Sequence, residues 1–406
     1  MANRYSALGR DFWRVFSGRV AGNLGGQMGD VALRILFAST LAAGALELGI
    51  LSAAQTAGFL IFGLPAGLIV DRVSRRRLLI ISDIARAALL ALIPIAAILG
   101  WLNIYLVIAI VFLVGLGNLL FEISFKSLLP ALVPNDKLVL ANTRLETGRT
   151  SAALTGPIIA GALVQWLTAP AVILIQSISY IISALRIKSI RTAHTTSETK
   201  KPFALSEIKA GLNLIARDRR LKALTGAAAT YNFGYGLLTP LLVLLLIVEY
   251  GASPGAVGLV YAFSGIGGVL GAFSAQKILK HIPLPRAIVM AELVAPLAAI
   301  LYVIATPNSM LVLVAIGNLI LHFALAVYNI TSVSLSQLLC PPAVLGRVKA
   351  TIGFFASGTL PLGALLGGVI GEMFGAQIGL IAVCLAFAAA AFWLVISPIP
   401  KMSLPG

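Results

Sequence analysis

The chain reads as an all-α membrane protein, with twelve transmembrane helices arranged as two six-helix pseudo-repeat bundles. Three observations lead there. Of 406 residues, 59% are hydrophobic and only 11% are charged, against roughly 45–50% and about 25% in a soluble domain. Apolar runs of roughly 20 residues, the length a helix needs to cross a bilayer, recur along the whole chain, and the mean hydropathy is +1.00. Landmarks of the first half also return in the second at nearly constant offset. Alternating barrel patterning is absent, and the Leu/Ala/Ile/Val runs are too long for strands.

Taken in order, span 1 (14–41) carries a polar stripe, and span 2 (47–70) runs into Gly67 and Asp71. Span 3 (78–99) follows an arginine run, span 4 (103–127) contains Gly117-Asn118-Leu119, and span 5 (143–167) contains Gly156-Pro157. Span 6 (170–187) ends at the one long polar stretch, 188–220. Span 7 (221–249) holds Tyr231-Asn232-Phe233-Gly234-Tyr235 ahead of Pro240, a residue that breaks helices. Span 8 (254–277) repeats Gly63 and Gly67 as Gly267 and Gly271, both 204 positions on. Span 9 (286–305) is apolar except for Glu292, and span 10 (309–338) repeats the Gly-Asn-Leu triplet as Gly317-Asn318-Leu319. Span 11 (347–371) repeats Pro157 as Pro361 within a glycine-rich stretch, and span 12 (376–396) is apolar. The expected organisation is an N-terminal bundle over 1–187, a cytosolic linker over 188–220 and a C-terminal bundle over 221–406. Six plus six spans about a basic loop is the parallel-repeat plan of a rocker-type secondary transporter.

The formal net charge of +16 has a location. With the N-terminus inside, the basic residues fall on one side of the membrane. Arg72, Arg75, Arg76 and Arg77 fill the loop after span 2, and Arg186 to Lys222 crowd the linker. The opposite loops carry no Lys or Arg and hold Glu47, Glu249 and Glu372. By the positive-inside rule both termini are cytosolic. The charge is a coat that touches anionic lipid, not a nucleic-acid surface. Cys340 and Cys384 show neither paired spacing nor a ligand cluster. The N-terminus lacks the apolar core and cleavage site of a signal peptide.

The loop Gly67-Leu-Ile-Val-Asp71-Arg72-Val-Ser-Arg75-Arg76-Arg77 resembles the signature loop of the major facilitator superfamily: glycine, three residues, Asp-Arg, then a basic pair. Gly67 permits close helix approach, and Asp71 can cap and pair at a helix end. Ser74 stands where the family usually has glycine, and the second-half equivalent has Ala275 in place of the acid. The segment 121–164 is similar to the branch of macrolide-efflux and enterobactin-type siderophore exporters. Gly156-Pro157-Ile-Ile-Ala160-Gly161 is similar to the fifth-span motif of antiporters in this superfamily, with Ala160 replacing one glycine. The topological likeness covers all twelve spans, whereas the specific motifs fall mainly within 20–165. The resemblance implies the major facilitator fold and alternating-access export of a small amphipathic molecule of drug or siderophore type by proton antiport. A competing likeness, through Gly29-Asp30 and Ala141-Asn142, is to a lysophospholipid flippase. A plainer reading of Gly156 and Pro157 is that they only shape packing.

Ionisable residues inside spans are costly and are functional candidates. Asp30 and Arg34 lie one turn apart on span 1, and Asn23 and Gln27 share their face. Two readings stand side by side. In one, Asp30 binds a proton or a cationic substrate group, tuned by Arg34. In the other, the pair is permanent and holds span 1 in register. Glu122 and Lys126 form another pair at this spacing, with Arg144, Glu146 and Arg149 on span 5 nearby. The resemblance implies that Asp71, Arg75 and Glu122 form a cytosolic charge relay that latches one conformation, a gating role rather than substrate contact. Asp83 and Arg86 read as a structural interfacial pair, Glu292 as packing or interfacial exposure, and His322 as an interhelical hydrogen bond ahead of a proton carrier. A cavity lined by spans 1, 4, 7 and 10 would draw on Tyr231, Asn232, Tyr235, Asn318 and His322, walls that suit an amphipathic substrate better than a sugar. For each aromatic taken singly, lipid-facing or interhelix packing is the favoured reading.

No phosphate-cradling GxxxxGK[ST], no HExxH and no GxSxG stands out, and the three histidines are scattered. Neither an enzyme nor ATP-driven export is supported, and no cofactor or metal site is expected. A linker of 33 residues (188–220) is too short to be the folded domain of a membrane sensor. The expected partners are a small-molecule substrate, protons and membrane lipids. The expected setting is a monomer in a bacterial inner or plasma membrane.

Overall fold

The computed structural model describes residues 8–134, 137–190, 212–340 and 342–402, and at 64–72, 127, 130, 131, 139, 342, 343 and 345–347 it describes the backbone only. Most of the expected linker therefore lies outside the described residues. Among them are twelve long helices. In chain order these are α1 (Gly9–Ile35), α2 (Ala45–Arg72), α3 (Arg75–Ile98), α4 (Ile104–Leu132), α5 (Leu138–Trp166) and α6 (Ala169–Lys188). There follow α7 (Arg219–Val243), α8 (Pro254–His281), α9 (Leu284–Val303) and α10 (Met310–Leu339). The stretch Pro342–Val395 is broken at Gly375, where φ is 80° and ψ is 170°, into α11 (342–374) and α12 (376–395). Only glycine tolerates that turn without strain. Each helix coincides with one span read from the sequence.

Nine helical stretches among the described residues are long and apolar enough to cross a membrane, the last being Val348–Val395, which holds α11 and α12 together. The two helices that fall short are α1 and α5. Both carry charges along their length: Arg14, Arg19, Asp30 and Arg34 on α1, and Arg144, Glu146 and Arg149 on α5. The polar residues that could act in transport thus gather on two packed neighbours, since α1 lies against α5 as well as α6.

Several helix starts are satisfied by side chains, as the orphan amides of a first turn require. Asn103 Oδ1 accepts from Leu106 N at 3.0 Å, and Thr168 Oγ1 accepts from Ala171 N at 3.3 Å. Glu249 Oε1 accepts from Ala376 N at 2.8 Å, capping α12. Asp218 Oδ1 accepts from Arg220 N at 2.8 Å at the start of α7. The hydrogen bond from the Arg220 side chain holds the Asp218 carboxyl below its ordinary range. The ends of α1 and α7 both relax into π-helical turns, Leu36–Thr40 and Leu244–Glu249, a feature the two halves share.

Lipid offers helices no hydrophobic drive to associate, so close backbone approach at small residues carries the packing. Along α1, Gly18, Gly22, Gly25 and Gly29 form a ridge against α6, facing Ser183, Tyr180, Ser179 and Gln176. A Cβ at Gly156 of α5 would lie 2.5 Å from Gln27 Cβ, and one at Gly148 would lie 2.6 Å from Val20 Cγ2. In the second half, Gly236 of α7 crosses Gly363 of α11, and Gly267 and Gly271 of α8 sit on the Leu319 and Phe323 carbonyls of α10.

The chain forms two compact units, Met1–Leu41 with Ala57–Phe203, and Ala42–Thr56 with Ala204–Gly406. The first part of α2 belongs to the second unit. A Cβ at Gly49 would lie 2.8 Å from Gly368 Cα, and Leu46 N donates to Glu372 Oε2 at 3.3 Å.

Candidate functional site

In the first unit, α1 is held on two sides by glycine contacts, which leaves its remaining face to Asn23, Gln27, Asp30 and Arg34. All four are half-buried. Arg34, one turn further along α1, is the cation whose charge acts on Asp30. Gln27 is shared: its Cβ fills the notch at Gly156. Gly156 thus lets α5 approach the polar face of α1 closely, and Pro157 beside it is buried.

Beside this face lies a network the sequence did not announce. Arg19 of α1 pairs with Glu122 of α4, and its guanidinium sits 4.7 Å from the Phe125 ring and 5.2 Å from the Phe121 ring. Lys126, the neighbour expected by helical spacing, is exposed. The choice follows from burial. Arg19 can leave water only by meeting an acid and aromatic faces, whereas Lys126 keeps its hydration.

The Asp83–Arg86 pair of α3 is internal rather than interfacial, which corrects the sequence expectation. Asp83 is 0% exposed and Arg86 5%. The two form an ion pair, and Arg86 NH1 also donates to Asn118 Oδ1 at 2.6 Å. The guanidinium lies 4.2 Å from the Tyr180 ring and 4.5 Å from the Phe121 ring. Gly117 makes room for it, since a Cβ there would lie 2.7 Å from Arg86 Cγ.

The repeated triplet serves the same local purpose in the second unit. A Cβ at Gly317 would lie 2.6 Å from Tyr302 Cε1. The Tyr302 hydroxyl donates to Asn318 Oδ1 at 3.0 Å, and Asn318 Nδ2 donates to Val260 O at 3.2 Å. Asn318 is thus a buried link among α8, α9 and α10. Its expected place on a cavity wall is not where the structure puts it, because both ends of its amide are spent on neighbouring helices.

His322 donates from Nδ1 to Asn318 O at 2.9 Å, since a carbonyl can only accept. In the neutral ring its Nε2 is then the acceptor, and the Tyr235 hydroxyl of α7 lies 3.5 Å away. Tyr235 and His322 meet edge to face at 6.0 Å. Tyr231 is buried and stacks on Phe387 at 4.9 Å, as the packing reading of a single aromatic expects. Asn232 donates to Ala228 O of its own helix at 2.8 Å and is half-buried.

Of the loop motif, the side chains of Gly67, Asp71 and Arg72 lie outside the described residues. Arg75 opens α3. Arg76 donates to Ile187 O at 3.4 Å and to the Lys188 carbonyl, so it closes the C-terminal turn of α6. Arg149 pairs with Glu146 of its own exposed face, Nε to Oε2 at 3.0 Å. Of the relay expected among Asp71, Arg75 and Glu122, the side chain of Asp71 lies outside the described residues, and Glu122 is bound to Arg19. No group of three or more His, Cys, Asp or Glu able to hold a metal occurs among the described residues.

Twelve helices in two pseudo-repeated sets, with polar side chains concentrated on the first and fifth, define the fold of a two-bundle membrane transporter. The chain matches the model of the Major Facilitator Superfamily over residues 16–360, and it belongs to that family. It is similar to macrolide efflux protein A of Streptococcus pyogenes, 22% identical over 335 residues that cover 80% of this chain and 82% of that one. An uncharacterized MFS-type transporter, y4rN, of Sinorhizobium fredii is 27% identical over 313 residues, 75% of each chain. Among solved structures, the nucleoside transporter NupG superposes with a TM-score of 0.77 at 11% identity, covering 97% of this chain and 100% of that one, a likeness of fold. The chain is therefore a multi-pass membrane transporter that carries a small molecule.

Proposed function

We propose that the protein exports a small amphipathic organic molecule by alternating access, in exchange for protons. It would do so from a bacterial inner or plasma membrane, with both termini in the cytosol. The observation that carries this reading is the half-buried acid on α1. Asp30 occupies the one face of α1 left over after its glycine contacts with α6 and α5, with the Arg34 charge one turn away. A carboxyl so placed can alternate between a proton and a cationic group, because each neutralises it at a depth where a bare charge is costly. The efflux names of the relatives support the direction. The aromatic and amide groups of α7, with Tyr235 bound to His322, support a substrate with both apolar and polar surface.

The test is transport in proteoliposomes under an imposed pH gradient, screened over drugs, siderophores and lysolipids. Gradient-driven accumulation should fall at least tenfold in Asp30→Asn while gradient-free exchange persists. Transport indifferent both to the gradient and to this substitution would defeat the antiport reading. Lysolipid as the sole transported class would turn the assignment to a flippase.

The loop at Gly67, Asp71, Arg72, Arg75 and Arg76 and the Arg19–Glu122 pair serve conformational cycling in this reading. Asp71→Asn is expected to slow transport while leaving equilibrium substrate affinity within about twofold, roughly 0.4 kcal/mol. A large affinity loss with a normal rate of cycling would contradict a gating role.

A further inference from the structure

Glu292 lies on α9, inside the second unit, eight residues past the helix start, or about 12 Å along it at 1.5 Å per residue. It is 1% exposed, so of the two sequence expectations, packing and interfacial exposure, the second does not hold. Its surroundings are unusual for an acid. None of the contact ion pairs formed by the described residues includes it, and its Oε1 is buried without a hydrogen-bond partner. The α9 residues beside it, Ile288, Val289 and Ala291, belong to an apolar cluster with Leu224, Val327, Val348 and Leu394. Two titratable groups lie within range of its charge, Tyr231 from α7 and Tyr328 from α10. The Tyr231 hydroxyl is buried without a hydrogen-bond partner, and the buried Tyr328 hydroxyl has the Ser332 side chain of its own helix beside it. The two rings stack at 6.5 Å and 11°. The α11 and α12 side chains in the same cluster are apolar, and Arg286 of α9 itself is exposed.

Two orphaned polar atoms, the Glu292 Oε1 and the Tyr231 hydroxyl, need an explanation, because buried polar groups are nearly always paired. A carboxylate in this place would have no counter-charge, and burying one unpaired costs many kcal/mol. A neutral acid removes that cost. The two phenols are what the charged form would need, since each O–H can donate to a carboxylate oxygen.

We propose that Glu292 is a proton-binding carboxyl of the transport cycle, separate from Asp30. In the arrangement seen here it carries its proton. When the helices around it part and water enters, the carboxyl O–H bond breaks and the proton passes to water. The hydroxyls of Tyr231 and Tyr328 then turn to hold the carboxylate left behind. This inference rests on the proton-antiport reading for its role in coupling, but the binding of the proton stands on the site itself.

The test uses the purified full chain in lipid nanodiscs, with infrared difference spectra recorded from about pH 5 to about pH 9. The carbonyl stretch of a buried protonated carboxyl should be present in the wild type, lose intensity toward the alkaline end, and be missing in Glu292→Gln. Glutamine keeps the shape and neutrality of the protonated acid, so the variant should retain the wild-type thermal transition. Asp30→Asn, recorded in parallel, should leave the band in place. Tyr231→Phe should weaken the alkaline loss by removing a donor to the carboxylate. A band that is unchanged in Glu292→Gln, or constant over the whole pH range, overturns the site. A wild type indifferent to the pH gradient in proteoliposomes defeats the antiport reading, and the coupling role with it, whatever the band does.

Discussion

Arg86→Met should be among the most damaging single substitutions in the first unit, with an expected loss of about 3–5 kcal/mol, the range for breaking a buried ion pair from one side. Three consequences coincide. Asp83, at 0% exposure, loses its counter-charge, Asn118 Oδ1 loses the donor at 2.6 Å, and the Tyr180 and Phe121 rings lose the cation over their faces. The desolvated carboxylate is the largest of the three, because a buried charge without a partner costs more than a neutral hydrogen bond. Replacing both partners tests this directly. Asp83→Leu with Arg86→Met removes the pair together and should recover most of the loss, since apolar replacements of buried pairs are often neutral. Thermal transitions and the monodisperse fraction in detergent are the readouts. A single variant as stable as wild type, or a double variant no better than the single, would refute this account.

Gly267→Ala and Gly268→Ala should have opposite signs although the positions adjoin on one helix. A Cβ at Gly267 would overlap the Leu319 carbonyl oxygen of α10, a backbone atom that cannot rotate away. At Gly268 it would meet nothing within 4 Å. The first substitution must push α8 and α10 apart and forfeit their close packing, at a cost at or above the ~1–3 kcal/mol of overpacked sites. The second replaces a poor helix former with the best and should stabilise by up to about 1 kcal/mol. Comparing the two thermal transitions cancels effects common to adding a methyl group. Equal shifts would show that the α8–α10 contact does not depend on glycine.

The helices were legible because span length and apolar run depend on composition within about 20 residues, which one strand of text contains. The repeat was legible too, though only in part. Gly267 and Gly271 sit on α10 carbonyls, while Gly63, the expected counterpart of Gly267, meets nothing within 4 Å, and Gly58 contacts Leu116. Offsets in sequence mark ancestry of position, not identity of contact. The ridge at Gly18, Gly22, Gly25 and Gly29 had a signal, small residues at helical spacing, and was available to a reading that searched span 1 for packing rather than for charge.

Side-chain partners were another matter. Helical spacing pairs Glu122 with Lys126, yet the structure pairs it with Arg19, 103 residues away. Spacing along one helix ranks only local neighbours, and it is silent about which face another helix covers. Glu292 illustrates the same limit. An acid nine residues into a helix is compatible with interface, packing or function until its neighbours are known, and those neighbours come from α7 and α10.

By itself, then, the sequence determined that this chain crosses a membrane as twelve helices in two related sets, and that it belongs among transporters. Those properties are sums over local composition and short motifs. Only the tertiary structure decided which buried charges are neutralised and which are not. It gives Asp83 and Glu122 each an arginine, and it leaves Glu292 Oε1 buried without a partner. The reason is that the cost of a charge depends on the distance to an opposite charge and on the water around it, and both are set by how helices distant in sequence pack.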